Sequence, residues 1–392
     1  MSSQSGQSTA TTDRQVLVVG GGLAGLTTAA FLHRDGLSPV VVTAGETTGG
    51  DGDLDVVLWS PAVSLLAELG LGADLLTSTE PVRRWHLRRG EGTERLSSAH
   101  DGRWPFVAAD RDRLRELLRA RLPTGCLRLS KTPRRLDPTD SGLRVEFDDG
   151  VRERFDVVVG ADGVDSWVRR SRLDCRVSER GVTRWTLRVD GRLGTPGTIT
   201  ELWAPGGTLT YGPLGTNRAQ FVTAAIDGPG PGHGSGSDVE AVASRLARSF
   251  DPAGLPSECG SLADLTVVGG RADRTVGTGR WTVGHAALVG AAARSLPSGL
   301  SVGPSLAVED AYVLAAELTD RASTVEALRR YARRRYGRGR ALARRTPTDE
   351  CPCSPDARSA RFHDVRELRA ALLRTFFARR VPAVSADVEE YL

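Results

Sequence analysis

The stretch Gln15-Val16-Leu17-Val18-Val19-Gly20-Gly21-Gly22-Leu23-Ala24-Gly25-Leu26 decides how the rest of the chain is interpreted. An apolar segment of strand length leads into the spacing Gly20-x-Gly22-x-x-Gly25, and a segment rich in Ala and Leu follows. That order of strand, turn and helix is the context in which three glycines bind a dinucleotide. Gly20 permits the tight turn, Gly22 lets the backbone approach a pyrophosphate, and Gly25 lets the helix pack on the strand. We therefore predict a βαβ unit whose helix N-terminus faces phosphate groups.

Length and charge narrow the class of protein. The chain has 392 residues and a net charge of +4, and it lacks an apolar run of the roughly 18 residues that a membrane span requires. All but one of its 52 basic residues are arginine, the exception being Lys131, and they are scattered among 48 acidic residues. We therefore expect two joined lobes, no membrane span and no nucleic-acid partner.

The ends of the chain and its cysteines indicate the compartment. Residues 1–13 are rich in Ser, Thr, Gln and Gly and lack the apolar core of a signal peptide, so we predict a disordered tail. The five cysteines are an odd number without a secretion signal, which favours reduced thiols and a cytoplasmic protein. Cys351 and Cys353 stand too close together for ordinary metal pairing, and no metal site is predicted.

Hydrophobic periodicity divides the chain into two kinds of segment. Alternating strands and helices predict a nucleotide-binding domain over residues 14–80, 100–175 and 280–345. This domain includes a hairpin around 148–150 whose second arm ends in the buried strand 157–159. A period of two predicts an antiparallel β-sheet domain over 81–99 and 176–279, which shapes a substrate site. The stretch 346–392 is predicted to be a helical extension.

The second predicted strand ends without an expected carboxylate. A nucleotide-binding unit of this kind closes that strand with an acidic side chain that accepts hydrogen bonds from the adenosine ribose. The residue in that place is Thr43, 18 residues after Gly25 (43 − 25). Glu46 reaches the ribose only if the following loop bends back.

Further motifs follow the fingerprint in a fixed order. They are Leu58-Trp59-Ser60-Pro61-Ala62, Arg111-x-x-Leu114, Gly160-Ala161-Asp162-Gly163 with Ser166 and Arg169 after it, and Tyr211-Gly212-Pro213-Leu214-Gly215. In this order the motifs resemble those of the para-hydroxybenzoate-hydroxylase-like FAD-dependent monooxygenases, the flavoprotein aromatic hydroxylases, over about residues 15–345. The resemblance implies an α/β fold: a Rossmann-like FAD-binding domain of the glutathione-reductase type with an inserted, mainly antiparallel β-sheet substrate domain and C-terminal helices.

The resemblance also implies roles for individual residues. Gly20, Gly22 and Gly25 hold the pyrophosphate of FAD, and Arg111 contacts its phosphate and ribityl region. Asp162 and Gly163 form the family's Asp-Gly motif at the cofactor.

The last family motif is altered in this chain. The family has Gly-Asp-Ala-Ala-His-x-x-x-Pro, whose Asp hydrogen-bonds the ribityl chain, and here the segment from Gly290 to Pro297 puts Ala291 in the Asp place and Arg294 near the His place. The family then has Gly-Gln-Gly-x-Asn at the flavin pyrimidine edge, whereas this chain has Gly303-Pro304-Ser305, and Pro304 has no N–H to donate. Gly290, Pro297 and Gly303 are the cofactor-binding positions that remain. We expect FAD to be bound weakly, bound differently or absent.

Three functions are compatible with these motifs. In the first, NAD(P)H reduces FAD and a flavin C4a-peroxide hydroxylates or epoxidises an aromatic or polyketide-type secondary metabolite. In the second, a redox-neutral cyclase or rearrangement enzyme uses the same fold with vestigial or absent FAD, and Arg294 is its candidate catalytic cation, unless that side chain is simply ion-paired. The third is a non-catalytic scaffold, which the retained β-sheet domain disfavours.

The small-molecule substrate is expected to be hydrophobic. The candidate pocket residues are Trp185, Trp203, Tyr211 and Phe221, all on predicted strands of the β-sheet domain, and Pro213 in the turn that resembles the family's Pro-Leu turn. Core packing explains each aromatic residue equally well. The oligomeric state is left open.

Overall fold

The structure is a computed structural model. It describes residues 14–45, 55–89, 92–97, 106–173, 176–189, 195–204, 207–214, 219–227, 265–277, 279–295, 302–319 and 323–344. The predictions for the N-terminal tail, Glu46, Pro297, Cys351, Cys353 and the extension over 346–392 lie outside these residues.

Strands and helices of the described residues are numbered in chain order. The strands are β1 (Gln15–Val19), β2 (Ser38–Val42), β3 (Asp55–Leu58), β4 (Glu80–Val82), β5 (Arg84–Arg89), β6 (Gly92–Ser97), β7 (Phe106–Asp110), β8 (Leu127–Arg128), β9 (Pro133–Thr139), β10 (Gly142–Phe147), β11 (Arg152–Phe155), β12 (Val157–Gly160), β13 (Arg176–Val189), β14 (Thr198–Ala204), β15 (Gly207–Leu214), β16 (Ala219–Asp227), β17 (Leu265–Gly277), β18 (Thr282–Val283), β19 (Ala286–Leu288) and β20 (Arg294–Ser295). The helices are α1 (Leu23–Arg34), α2 (Ser60–Glu68), α3 (Gly72–Ser78), α4 (Arg111–Arg119), α5 (Trp167–Arg172), α6 (Gly303–Thr319) and α7 (Thr324–Arg344).

The central sheet has six strands in the order β18-β19-β12-β1-β2-β8. β1 pairs in parallel with both β2 and β12, and Val18 lies opposite Val41 on one side and Val159 on the other. β12 pairs in parallel with β19, and β18 is the antiparallel edge strand. Parallel strands are covered on both faces, which is why β1, β2 and β12 are runs of Val and Leu. The predicted βαβ unit and the Rossmann-like fold class are confirmed.

Two helices pack on each other next to this sheet. The rings of Phe31 in α1 and Tyr312 in α6 meet edge to face with centroids 5.5 Å apart. The Arg34 guanidinium lies over both rings and also pairs with Asp35 and Glu68. The last turn of α1 is thereby fixed against α6, while its first turn stays at the carboxyl end of β1.

The chain changes sheets at Asp156, which corrects the predicted hairpin. β10 pairs with β11 around the 148–150 turn, and β9 completes a three-stranded antiparallel sheet. The expectation that the second arm ends in residues 157–159 is wrong, because those residues form β12 of the central sheet. Asp156 donates its N–H to the Gln15 carbonyl oxygen at 3.0 Å and accepts from the Gln15 N–H through Oδ2 at 2.9 Å. These two bonds redirect the chain alongside β1.

The large sheet has eight strands in the order β20-β17-β13-β16-β15-β14-β5-β6. All of its pairs are antiparallel except β5 with β14. The inserted, mainly antiparallel sheet is therefore confirmed. One of its edge strands, β20, comes from residues that follow the central sheet, so the two sheets meet there. The domain boundaries themselves stay predictions.

A further sheet of three strands, β3-β7-β4, lies against α2 and α4. Within the described parts of the chain, no helix is both long enough and apolar enough to cross a membrane. The same residues include no group of three or more His, Cys, Asp or Glu that could hold a metal ion.

Candidate cofactor-binding site

The three fingerprint glycines have different structural roles. Gly20 has φ +117°, and a Cβ added there would lie 2.5 Å from the Ala161 carbonyl oxygen. A Cβ on Gly25 would lie 1.8 Å from the Gly20 carbonyl oxygen. Gly22 is the N-cap of α1, and a Cβ there would meet no atom within 4 Å. Gly20 and Gly25 therefore permit close packing, whereas Gly22 borders open space.

The start of α1 can accept an anion. No side chain caps the helix, and its first turn contains no acidic residue. The first N–H groups of a helix have no partners inside the helix, and the helix dipole adds positive charge there. The loop of Gly20 to Gly22 and the start of α1 can therefore hold a pyrophosphate.

Thr43 lies next to this loop but directs its hydroxyl elsewhere. A Cβ on Gly21 would be 3.3 Å from the Thr43 Cβ. The Thr43 hydroxyl donates to the Gly45 carbonyl oxygen at 3.3 Å, and the residue is 9% exposed. Among the described residues, the end of β2 therefore carries a threonine in the place of the expected ribose-binding carboxylate.

Arg111 is the first residue of α4, directly after β7. Asp110 caps this helix by accepting the Arg113 N–H at 2.9 Å. The Arg111 side chain is half-buried, so it retains access to solvent. The fold places it at a helix start, as the motif implies.

Asp162 and Gly163 form the loop after β12. Asp162 accepts the N–H groups of Trp167 and Val168 through Oδ2, at 2.6 and 3.1 Å, and so caps α5. Burial raises the pKa of Asp162, and the Ser166 hydroxyl and the Val168 amide oppose that rise. Gly163 has φ +77°, and a Cβ there would meet no atom within 4 Å. Because β12 is the parallel neighbour of β1, this loop lies at the same edge of the central sheet as the loop of Gly20 to Gly22.

The turn after β19 lies at the same edge, because β19 is the parallel neighbour of β12, and we call the space outside these three loops the cofactor opening. Gly290 has φ +59°, and a Cβ there would lie 2.9 Å from the Ala24 Cβ in the first turn of α1. Ala291 is exposed, whereas Ala292 is buried and its carbonyl oxygen accepts from Arg169 Nη1 at 2.9 Å. The position that carries a ribityl-binding Asp in the family therefore faces solvent here with only a methyl group.

The Arg294 side chain contacts Trp281 and Asp310. It is buried, lies over the Trp281 ring at 4.9 Å, and places Nη2 3.5 Å from Asp310 Oδ2. Burial lowers the pKa of Arg294, and Asp310 opposes that change. This placement favours the ion-paired interpretation of Arg294 over the catalytic one.

Sequence reasoning did not foresee the ion pairs around Asp310. Asp310 Oδ1 accepts Arg335 Nε at 2.7 Å, Glu309 accepts Arg335 Nη2 at 2.9 Å, and Arg338 binds both oxygens of Glu309 at 3.0 Å. We call Arg294, Glu309, Asp310, Arg335 and Arg338 the Asp310 cluster. The signal in the sequence was an acidic pair inside an otherwise apolar helix.

The start of α6 lies beside α2. Ser305 is buried, and its Oγ accepts a hydrogen bond from the backbone N–H of Trp59 at 2.9 Å. Gly303 is exposed, and a Cβ there would meet no atom within 4 Å. Pro304 follows it in the first turn and has no N–H. Gly303 therefore borders open space, as Gly22 and Gly163 do.

The five candidate pocket residues all lie on strands of the large sheet. Trp185 and Tyr211 are buried, 6% and 1% exposed. They share one face of the sheet, because Trp185 and Leu209 both lie opposite Ala224, and Tyr211 is two residues after Leu209 on the same strand. Pro213 is two residues after Tyr211 on β15, which is a position on that same face. Trp203 lies opposite Thr208 and Phe221 lies opposite Gly212, which are positions on the other face of the sheet. The strand pairing therefore puts three of the five positions on one face of the sheet and two on the other.

Comparisons with known proteins agree with this architecture. The FAD binding domain family model matches residues 13–346. A 3-amino-4-hydroxybenzoate 2-monooxygenase of Streptomyces platensis is 30% identical over 354 residues, which cover 85% of this chain and 86% of that protein. An aurachin C monooxygenase/isomerase of Stigmatella aurantiaca is 27% identical over 334 residues, which cover 81% and 83% of the two chains.

A solved structure supports the fold. HpxO of Klebsiella pneumoniae, crystallised with FAD and uric acid, has a TM-score of 0.79 at 21% identity, with 94% of this chain and 97% of that chain covered. Because the family model spans most of the chain and a relative is 30% identical over most of its length, this chain belongs to the para-hydroxybenzoate-hydroxylase-like family of FAD-dependent monooxygenases.

Proposed function

We propose that the chain binds FAD across the carboxyl ends of β1, β12 and β19 and inserts one oxygen atom into an aromatic or polyketide-type secondary metabolite. The observation that carries this proposal is that the loops after β1, β12 and β19, three neighbouring parallel strands, lie at one edge of the central sheet, beside the uncapped start of α1. Ligands of open α/β sheets bind outside the carboxyl ends of the strands. The named activity of the Streptomyces relative supports the substrate class.

Particular residues are assigned to parts of the cofactor in this proposal. Gly20, Gly22 and Gly25 and the uncapped start of α1 hold the pyrophosphate. Arg111 lies near the phosphate and ribityl region, and Asp162 with Gly163 shapes the wall between them. Gly290 and Gly303 line the flavin end.

The protein's part in the reaction is binding, orientation and exclusion of water. Bound FAD supplies electron transfer from NAD(P)H and the activation of O₂, with one oxygen atom going to the substrate and the other to water. Trp185, Leu209 and Tyr211 on one face of the large sheet are buried, which suits a hydrophobic substrate.

The affinity for FAD is proposed to be low. Thr43 and Ala291 each remove a charged acceptor for a sugar hydroxyl, and such hydrogen bonds contribute about 1.5–3 kcal/mol each. If the two losses add, FAD binds roughly a hundred- to ten-thousandfold more weakly than with both carboxylates. The pyrophosphate-binding loop and Arg111 are retained.

A redox-neutral cyclisation or rearrangement is the second candidate. The exposed methyl group of Ala291, in place of a carboxylate, is the observation that favours it. In that case the cavity would act by holding a flexible substrate in one reactive conformation.

A spectroscopic experiment separates the two candidates. The visible absorbance of the purified protein is recorded with and without added FAD, and NADPH oxidation is then followed under both conditions. The flavin bands of bound FAD, with NADPH oxidation that depends on FAD, support the monooxygenase. A protein that shows no flavin bands after incubation with excess FAD and removal of the free cofactor contradicts it and favours the redox-neutral candidate.

A further inference from the structure

One carboxylate oxygen holds both ends of the turn after β19. Asp310 Oδ2 accepts the Gly290 N–H at 3.1 Å and lies 3.5 Å from Arg294 Nη2. Gly290 and Arg294 are the first and last residues of a five-residue segment, which we call the 290–294 turn. Inside it, the Ala293 N–H donates to the Gly290 carbonyl oxygen at 3.1 Å. The shape of this turn is therefore set by a side chain from α6.

Asp310 cannot easily rotate away from the turn. Its other oxygen accepts Arg335 Nε at 2.7 Å, and both Asp310 and Arg335 have 0% exposure. Arg335 is in turn bound to Glu309, which also binds Arg338. A buried carboxylate that is bonded on both sides is fixed in orientation, because any rotation leaves a buried charge without its partner.

The turn is placed against the cofactor opening. A Cβ on Gly290 would be 2.9 Å from Ala24 in the first turn of α1, so the turn lies directly beside the pyrophosphate loop. Ala292 accepts Arg169 Nη1, and the same guanidinium donates to the Val164 carbonyl oxygen in the loop after β12. Ala291 is the exposed residue of the turn.

The same turn continues into the large sheet. Arg294 and Ser295 form β20, which pairs with β17 through Gly277 and Val276. Arg294 therefore belongs to the large sheet through its backbone and to the Asp310 cluster through its side chain. One residue connects the sheet of the substrate site with the turn at the cofactor site.

We propose that Arg294 and Asp310 are positioning residues, which together hold the 290–294 turn against the cofactor opening and in register with the large sheet. The proposal rests on FAD binding at this opening. It gives Arg294 a role in cofactor affinity without contact between its guanidinium and the reacting atoms.

The test uses the full chain and three variants. Arg294→Met removes the ion pair but keeps a long apolar side chain over Trp281, and Arg294→Lys keeps the charge. Arg34→Met is the matched control, because Arg34 also lies over aromatic rings and pairs with carboxylates, but follows Ala24, the residue of α1 beside Gly290, by ten residues (34 − 24) or roughly 15 Å of helix. FAD affinity is measured by flavin fluorescence at a temperature where circular dichroism finds each variant folded. Hydrogen exchange of peptides that contain Gly290 is measured without FAD.

Arg294→Met is expected to bind FAD about tenfold more weakly and to exchange faster at the 290–294 turn. Arg294→Lys is expected to recover most of both properties, and Arg34→Met is expected to change neither. Equal effects of Arg294→Met and Arg34→Met, or no effect of Arg294→Met on exchange, overturn the positioning role. A wild-type chain that binds no FAD sinks the proposed function, and the exchange measurement then still decides whether Arg294 orders the turn.

Discussion

Arg169 donates from Nη1 to the Ala292 carbonyl oxygen at 2.9 Å, although the two residues are 123 positions apart in the chain. The same guanidinium donates to the Val164 carbonyl oxygen, and Arg169 is only 1% exposed. Val164 follows β12 and Ala292 follows β19, two neighbouring parallel strands. A single buried side chain therefore holds together the two loops that border the cofactor opening.

Removing this guanidinium is expected to destabilise the protein. Arg169→Met leaves two carbonyl oxygens without their donor, and an unsatisfied buried group costs about 1–3 kcal/mol. We expect the free energy of unfolding in urea to fall by about 2–4 kcal/mol. Arg170→Met, at the exposed neighbouring position, is expected to stay within about 0.5 kcal/mol of wild type. Equal losses in the two variants would show that the bridge between the loops is unimportant.

Restoring a carboxylate at position 291 is expected to tighten FAD binding. Ala291 is exposed, and the backbone of its turn is already fixed by Asp310 and Arg169, so Ala291→Asp requires no rearrangement. A charged acceptor contributes about 1.5–3 kcal/mol, which corresponds to roughly ten- to hundredfold in affinity.

The matched control for that variant is Ala291→Asn. Its neutral acceptor is expected to gain only about fivefold. Both affinities are measured by titration of the protein with FAD at constant pH and salt. If Ala291→Asp binds no better than Ala291→Asn, the carboxylate does not reach the ribityl chain.

The two glycines Gly22 and Gly25 are expected to respond to alanine in opposite ways. A Cβ on Gly22 would enter open space, so Gly22→Ala is expected to change stability by no more than about 1 kcal/mol. It is nevertheless expected to weaken FAD binding, because the methyl group occupies the space of the pyrophosphate.

Gly25→Ala is expected to lose stability instead. Its Cβ would lie 1.8 Å from the Gly20 carbonyl oxygen, so α1 must move away from β1, at a cost of about 3 kcal/mol or more. Urea unfolding without FAD and FAD titration together measure both effects. Loss of stability in Gly22→Ala without loss of FAD affinity would place the cofactor elsewhere.

Local patterns predicted most of the architecture. The run Val16 to Val19 with its glycines predicted β1, the turn and α1, because a strand buried on both faces and a Gly-rich turn leave clear traces in sequence. The period of two over 176–279 predicted β13 to β16 of the large sheet. A Cβ added at Gly22, Gly163 or Gly303 would meet no atom within 4 Å, and their assignment to the cofactor stays a prediction.

Relationships across the chain were harder to predict. The break at Asp156 was missed, because its two bonds to Gln15 are a tertiary contact between distant residues. Arg294 was assigned from its motif position, but its side chain direction depends on Asp310 in α6 and Trp281 before β18. The pairing of Arg335 with Asp310 joins positions 25 residues apart on two helices, and neither helix alone contains that information.

Glu309 is expected to make the stability of the protein depend on acid pH. Burial alone raises its pKa, but Arg338 and Arg335 outweigh burial and hold the pKa of Glu309 at about 2, below its ordinary value of 4.5. Below pH 4.5 the unfolded chain binds a proton at this site while the folded chain does not, so stability falls as the pH falls from 4.5 towards about 2. A difference of this size corresponds to at most about 3 kcal/mol.

The measurement compares wild type with Glu309→Gln. Urea unfolding of both proteins is followed from neutral pH down to the acid limit of folding. The free energy of wild type is expected to exceed that of the variant above pH 4.5, since Gln cannot neutralise Arg335 and Arg338, and the excess is expected to shrink on acidification. Carboxylates outside the Asp310 cluster affect both proteins alike, so the difference reports on the cluster that contains Glu309 and Asp310, which share Arg335. A difference that stays constant with pH would mean that the pKa of Glu309 in the folded protein is not lowered.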